Sequence, residues 1–200
     1  MNSGGGIIIV ILIFGGLIPV FFVAATYNRF IRLRQHIRES WADIDVELKR
    51  RYELIPNLVE VVKGYAKHER TVLESVIELR NKARANEGTA ESQAVDEASL
   101  LAGLKQVFVV AERYPQLKAD ANYLALQREL ANTEDRIAAA RRFYNANVRE
   151  MNQLRQTFPT SLVGSAFKVE SATFFELSSE AERVVPRANM EPITQPAMPG

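Results

Sequence analysis

Residues 123–158 decide the fold, and they read YLALQRELANTEDRIAAARRFYNANVREMNQLRQTF. Mostly apolar side chains recur at alternating spacings of three and four residues, which is the period of one face of an α-helix. Charged residues occupy the opposite face, so the pattern predicts one long helix with a single buried stripe. Thr133 and Asn147 are the polar members of that stripe. Its full set is Tyr123, Leu126, Leu130, Thr133, Ile137, Ala140, Tyr144, Asn147, Met151, Leu154 and Phe158.

Three further stripes with the same period lie upstream of this segment. Each is too narrow for burial on all sides and too apolar to face water, so the helices must cover one another. Short connections favour antiparallel neighbours, which predicts an all-α, antiparallel up-down four-helix bundle over residues 27–158. Its helices are expected at about 27–54, 56–86, 94–113 and 120–157. The upstream stripes are Phe30, Leu33, Ile37, Trp41, Ile44, Leu48 and Tyr52; Leu58, Val62, Tyr65, Val72, Val76, Leu79 and Ala83; and Leu100 or Leu101, Leu104, Phe108 and Ala111.

The expected helix boundaries depend on four local signals. Pro56 lacks an N–H group and disfavours helical backbone at the preceding residue, so the first helix should end or bend there. Residues 86–89 are typical of a turn, in which Gly88 can adopt the left-handed conformation. Tyr114-Pro115 closes the third helix, and Asp120 is the predicted N-cap of the fourth.

Residues 7–25, IIIVILIFGGLIPVFFVAA, contain no charged side chain. A helix of this length spans about 29 Å, close to the hydrocarbon thickness of a bilayer. We therefore predict a transmembrane helix at residues 7–26, preceded by a short N-terminal tail at 1–6. A cleaved signal peptide is the alternative. It is disfavoured because no Lys or Arg precedes the run and the run is longer than a typical signal-peptide core.

The charges that flank this segment predict its orientation. Arg29, Arg32, Arg34 and Arg38 follow the apolar run before the first acidic residue, Glu39, whereas the first six residues carry only the terminal amine. The positive-inside rule places the N-terminus outside and the C-terminal part in the cytoplasm, as a single-pass protein. The rest of the chain balances basic and acidic residues, which gives no nucleic-acid footprint. Cysteine is absent, so there is no disulfide framework and no thiolate chemistry.

The C-terminal part of the chain has a different composition. Residues 159–177 mix aromatic residues with Gly, Ser and Thr, and Phe167, Phe174 and Phe175 are expected to pack on the bundle, since exposed large aromatics are costly. Contact with the membrane surface is the alternative for this aromatic segment. Residues 178–200 carry four prolines and no aromatic residue, and that composition predicts a disordered tail.

No arrangement of residues predicts a catalytic, cofactor or metal site. His68-Glu69 starts like a zinc-protease motif, but Val72 stands where the second histidine is needed, and His36 is the only other histidine. Glu-x-x-His pairs, which a di-iron bundle requires, are absent from the sequence. Asp43 and Asp45 point about 200° apart on a helix and cannot share one site.

Charged and aromatic residues of the same region have structural explanations. Asp43, Glu47 and Arg51 are spaced for a surface salt-bridge ladder worth a few tenths of a kcal/mol per pair. The run Lys49-Arg50-Arg51 is predicted to be a solvated face, because Glu47 and Glu53 flank it. The aromatic residues in the stripes are predicted to be core and not a cofactor box; they are Trp41, Tyr52, Tyr65 and Tyr144.

Three blocks of sequence resemble the LemA family of bacterial membrane proteins: WADIDVELKRRYELIPNLVEVVKGYAKHE, ERYPQLKAD and LQRELANTEDRIAAARRFYNANVREMN. The resemblance covers about residues 20–177. It implies an N-terminal membrane anchor followed by a helical bundle, and it brings no established catalytic activity or catalytic residues. Some relatives are linked to membrane organisation, including magnetosome formation, and others are encoded beside membrane-associated proteases.

Together these observations favour a non-enzymatic scaffold or adaptor at the bacterial plasma (inner) membrane. The expected partners are the lipid bilayer, through the N-terminal helix, and other membrane proteins, a membrane-associated protease or a second copy of the chain among them. Nucleic acid, cofactors and small-molecule substrates are not expected. The alternative function is membrane remodelling, in which amphipathic helices or the aromatic segment contact lipid.

Overall fold

The computed structural model describes residues 3–176, with side chains described from residue 15 onward. These residues form six helices and no β-strand, so the all-α prediction is confirmed for this part of the chain. The two termini, 1–2 and 177–200, lie outside it, and with them the predicted disordered tail. The helices are α1 (Ser3–Tyr65), α2 (Arg70–Ala85), α3 (Ala90–Glu112), α4 (Pro115–Lys118), α5 (Ala121–Gln156) and α6 (Thr160–Ala166).

Among the described residues, none of the helices combines the length and the apolar character that a membrane crossing requires. Part of the predicted transmembrane segment, residues 7–14, lies outside the residues whose side chains are described.

The described chain divides into two compact units where the sequence predicted one bundle. Unit 1 comprises residues 3–47, 89–91 and 137–176, and unit 2 comprises residues 48–88 and 92–136. Helices α1 and α5 each contribute residues to both units. The antiparallel four-helix arrangement itself stays a prediction.

The predicted end of the first helix at Pro56 is wrong, because α1 continues without interruption to Tyr65. A proline inside a helix leaves the carbonyl four residues earlier without its N–H donor, and here that carbonyl belongs to Tyr52. The side chain of Arg80 on α2 donates from Nε to the Tyr52 carbonyl oxygen at 2.9 Å. The lost backbone hydrogen bond is therefore replaced by a side chain from a neighbouring helix. The chain leaves the helix later, at residues 66–69.

The other predicted boundaries agree with the structure more closely. Asp120 caps α5 as predicted, because its Oδ1 accepts hydrogen bonds from the backbone N–H groups of Asn122 (2.9 Å) and Tyr123 (3.0 Å). In the turn after α2, the Asn86 side chain accepts the backbone N–H of Gly88 at 2.8 Å. That side-chain turn makes a left-handed glycine unnecessary, and none of the described glycines has a positive φ, so the conformation expected for Gly88 is wrong.

Unit 1 has an apolar core shared by α1, α5, α6 and the residues after α6. Gly164 on α6 permits a close approach to α1, since a Cβ atom at this position would lie 3.3 Å from Cζ of Phe30. The α6 backbone can therefore sit directly on the Phe30 ring. The buried cluster consists of Phe30, Leu33, Met151, Leu154, Val163 and Val169, with Ile37 packed against it.

Two asparagines of α5 hold the extended segment that ends unit 1. The Asn145 side chain both donates to the carbonyl of Phe175 (3.0 Å) and accepts its N–H (2.9 Å). Asn152 makes the same pair of bonds with Ala172, at 2.9 and 3.0 Å. Tyr144 adds a bond from its hydroxyl to the Thr173 carbonyl at 2.9 Å. Side-chain amides of α5 thus form hydrogen bonds with the backbone N–H and C=O groups of an extended segment that belongs to no sheet.

The three phenylalanines of the aromatic segment differ in burial. Phe175 is fully buried, and its ring meets Trp41 edge-on with centroids 5.6 Å apart. Phe174 is half-buried. Phe167 is 50% exposed, although its ring centroid lies 4.6 Å from that of Tyr27. The end of the α5 stripe also differs from expectation, because Phe158 is 77% exposed.

Candidate functional site

The two histidines that the sequence raised as possible metal ligands are both exposed. His68 is exposed in the turn after α1 and lies on no helix, which removes the helical face that a zinc motif requires. His36 is exposed and faces Glu39, with 3.4 Å between Nδ1 and the carboxylate. Within residues 3–176, there is no group of three metal-ligating side chains that could hold an ion.

The prediction that Arg51 belongs to a solvated surface is wrong. Its side chain is buried in unit 2, with the residue only 1% exposed. Its neighbour Arg50 follows the prediction: it is exposed, and its guanidinium lies 2.9 Å from the Glu129 carboxylate. Arg51 therefore points into the interior while Arg50, one residue earlier, points into solvent.

Arg51 is the centre of a buried polar network. One guanidinium nitrogen, Nη2, pairs with the carboxylate of Glu97, which is 0% exposed. The other, Nη1, donates to Glu134 at 2.6 Å, and the Glu134 side chain is 21% exposed. Tyr52 donates its hydroxyl to the second oxygen of Glu97. Two carboxylates thus converge on one arginine, as buried charges must be paired to be tolerated.

A glutamine extends the network to a further helix. The Gln93 side-chain nitrogen donates to Glu97 at 2.8 Å and to the α2 carbonyl of Ala83 at 3.0 Å. It also lies 3.1 Å from the Tyr52 hydroxyl. The network therefore joins residues of α1, α2, α3 and α5 within unit 2. Because Glu97 and Arg51 are closed off from solvent and mutually neutralised, the arrangement suits holding helices in register rather than proton transfer to a substrate.

The sequence contained a signal for this network, but the predicted stripe of the third helix began at Leu100 and left it out. Extending that stripe backwards from Leu100 by three and then four residues reaches Glu97 and Gln93. In the first helix, the stripe continues from Leu48 to Arg51 and Tyr52. A charged residue at a stripe position on two helices indicates a buried ion pair.

Tyr65 also departs from the predicted core, since it is 42% exposed. Its hydroxyl donates to Asp120 Oδ2 at 2.8 Å. The backbone N–H of Tyr123, and after it the Tyr65 hydroxyl, hold the pKa of the Asp120 carboxyl below its usual range. Asp120 in turn raises the pKa of Tyr65. Asp120 therefore both caps α5 and ties it to the last residue of α1.

An open groove of about 790 Å³ lies between the end of α1 and the start of α2 in unit 2. Its apolar floor includes Val59, Leu73 and Ile77, and charged side chains of both signs form its edges. The arrangement gives the groove no preference for a cationic or an anionic ligand.

Comparison with known proteins gives one family. A family model described as the LemA family matches residues 40–189. The match covers three quarters of the chain, including all of unit 2 and the part of unit 1 that follows residue 40.

The named relatives include a LemA protein and magnetosome proteins. Protein LemA of Metamycoplasma hominis is 27% identical over 158 residues, which cover 78% of this chain and 71% of the relative. Magnetosome protein MamQ 2 of Paramagnetospirillum magneticum is 21% identical over 201 residues, covering 86% and 74%. Magnetosome protein MamQ of Magnetospirillum gryphiswaldense is 22% identical over 151 residues, covering 63% and 56%.

Proposed function

This chain belongs to the LemA family, and from that premise we propose that it is a membrane-anchored helical-bundle protein that works by binding. Its role is that of a non-enzymatic scaffold or adaptor at the bacterial plasma membrane, with the N-terminus outside and the helical part in the cytoplasm. Its similarity to magnetosome proteins supports a place at a membrane.

One observation supports the proposed membrane anchor most directly. Leu17, Ile18, Val20 and Phe21 are each more than 60% exposed, and they lie in the uncharged run 7–25. A run of exposed large apolar side chains is costly in water and is stable when lipid covers it. The four arginines that follow the run support the orientation.

Carbonate extraction of membranes that contain the full chain tests the anchor. The wild-type protein should stay with the membrane pellet, and the double variant Ile13→Asp/Leu17→Asp should be released, since each charge near mid-span costs about 2.5–3.5 kcal/mol. The matched control places the same two charges on exposed valines of α3, Val95→Asp/Val109→Asp, and should stay in the pellet. Release of the wild-type chain would contradict the anchor.

Single-cysteine crosslinking tests the scaffold, because the chain has no native cysteine. A cysteine at exposed Ser75 of α2 or exposed Ser165 of α6 carries a photoreactive group in native membranes. Anchoring raises the local concentration of partners at the bilayer, so a recurrent crosslinked product is expected, from another membrane protein or from a second copy. Monomer alone at both positions would refute the scaffold role. The same variants test orientation, since a membrane-impermeant maleimide should label neither from outside.

The alternative, membrane remodelling through the long amphipathic helices, has less support. The stripe residues of α1, α3 and α5 are largely buried inside the units, so these stripes are not available to contact lipid. Residues 158–167 carry three exposed large apolar side chains within one uncharged segment.

A further inference from the structure

Segment 158–167, which contains α6, carries three exposed large apolar side chains. Phe158 is 77% exposed, Leu162 63% and Phe167 50%. No charged residue occurs between Arg155 and Lys168. Single exposed apolar residues need no explanation, but three within ten uncharged residues indicate a surface that something apolar covers.

The opposite side of this segment is packed against α1. Val163 belongs to the buried cluster of unit 1, and Gly164 lies against the ring of Phe30. The segment is therefore fixed to the protein by one face. Phe158 and Leu162 project mainly into solvent, and Phe167 lies at the edge of the packed face, against Tyr27. Covering the unit 1 core does not account for them, because Phe158 and Leu162 are mostly outside it.

The contacts with α1 define how far the segment lies from the apolar run. Phe167 contacts Tyr27, which follows Ala25 by two residues, or about 3 Å of helix rise. Gly164 contacts Phe30, five residues or about 7.5 Å past Ala25. The headgroup layer on each side of a bilayer is about 5–8 Å deep. If residues 7–25 span the hydrocarbon, the part of the segment that holds Gly164 and Phe167 lies at the depth of the headgroups.

The surrounding charges suit the same position. Arg32 and Arg34 on α1 are exposed cations about 10 and 13 Å past Ala25, on the cytoplasmic side of this level, and the exposed Lys168 directly follows Phe167. Arg29 is partly neutralised, since it pairs with Glu150 at 2.9 Å. Exposed apolar side chains flanked by cations are typical of a surface that enters the interface of an anionic membrane.

We propose that residues 158–167 form a second membrane contact, a short wedge whose Phe158, Leu162 and Phe167 side chains insert into the headgroup layer of the anionic inner leaflet. The wedge fixes the rotation of α1 about its axis, because a single spanning helix leaves that rotation free. The proposal rests on the proposed function, since it takes residues 7–25 as the span.

Depth-dependent fluorescence quenching tests the wedge with the full chain in nanodiscs that contain anionic lipid. Single cysteines at Leu162 and Phe158 carry an environment-sensitive fluorophore, and both residues are exposed, so the fold tolerates the change. The expected result is quenching by lipids labelled near the headgroup and loss of quenching by aqueous iodide. The matched control is Phe143→Cys, an exposed phenylalanine of α5 in the same unit at 59% exposure, which should be quenched by iodide alone.

A label at Val20→Cys separates the two proposals. Quenching of this label by lipids labelled deep in the acyl chains, together with iodide quenching at Leu162, would overturn the wedge and leave the anchor in place. Iodide quenching at Val20 would overturn the anchor itself. If protection of Leu162 disappears when the protein is diluted to one copy per nanodisc, a second copy covers the surface, and the lipid wedge is wrong.

Discussion

Substituting Arg51 by methionine tests the buried network of unit 2. The substitution keeps the volume of an aliphatic stem and removes the only cation that pairs with Glu97 in this network. Tyr52 and Gln93 still donate to the Glu97 carboxylate, but its charge stays buried at 0% exposure. Glu134 contributes less to the cost, because its side chain is 21% exposed and water can solvate it.

The expected loss is about 3–5 kcal/mol in the free energy of unfolding, which is typical when one partner of a buried ion pair is removed. The double variant Arg51→Met/Glu97→Met should recover most of this loss, because no uncompensated charge is left inside. Tyr52 and Gln93 remain within hydrogen-bond distance of each other at 3.1 Å, so both keep a partner.

The assay is denaturant unfolding of the full chain in detergent, followed by far-UV circular dichroism, with the free energy taken from the midpoint shift. The matched control is Arg50→Met, which removes the neighbouring but exposed pair with Glu129 and should cost about 0–1 kcal/mol. Equal losses for Arg51→Met and Arg50→Met would refute the reasoning. A double variant as unstable as Arg51→Met would refute it as well.

Three further predictions concern single side chains that stabilise α1 and α5. Arg80→Met should lower the free energy of unfolding by about 1–3 kcal/mol, because the Tyr52 carbonyl loses its donor. The loss should be smaller in a Pro56→Ala background, because alanine supplies the backbone N–H, and an equal loss in both backgrounds would contradict this role. Because the pKa of Asp120 is lowered in the folded state, its contribution to stability is present above about pH 4 and lost as pH falls further. Asp120→Asn keeps the cap, so its melting temperature should fall less steeply with acid, and an unchanged slope would refute this role. Burial raises the pKa of Tyr123 to about 12, so its contribution to stability is lost as pH rises from about 10 towards that value. Tyr123→Phe should remove one phenolate step near that value in an absorbance titration, and loss of a step near pH 10 would contradict the assignment.

Local chemistry was enough to predict the elements whose determinants lie close in sequence. The Asp120 cap and the end of α3 before Pro115 depend on groups within three residues of each other. The 3.6-residue period of the stripes predicted which faces of α1, α3 and α5 are buried. In each case, the structure depends on interactions between residues that are close in sequence, or on a hydrophobic pattern averaged over a long segment.

Long-range contacts account for what the sequence did not predict. Pro56 is tolerated inside α1 because Arg80, 28 residues beyond Tyr52, reaches the orphaned carbonyl. Arg51 is buried because Glu97 and Glu134 meet it from two other helices. Taken alone, a proline predicts a helix end and an arginine predicts an exposed side chain. Each expectation is reversed by a residue that is distant in the sequence and in contact in the structure.

The polar residues inside the stripes explain how helices with similar apolar faces pack in a single register. A stripe of aliphatic residues can slide by one turn against its neighbour with little change in buried area. A slide of one turn, about 5.4 Å, would separate Arg51 from Glu97 and leave both charges unpaired in the core. Buried polar groups fix register in coiled coils by the same penalty. Asn145 has a related effect in unit 1, because its amide matches the backbone of Phe175 in a single position. We infer that the charged network in unit 2 and the asparagine contacts in unit 1 select the register, while apolar burial supplies most of the stability.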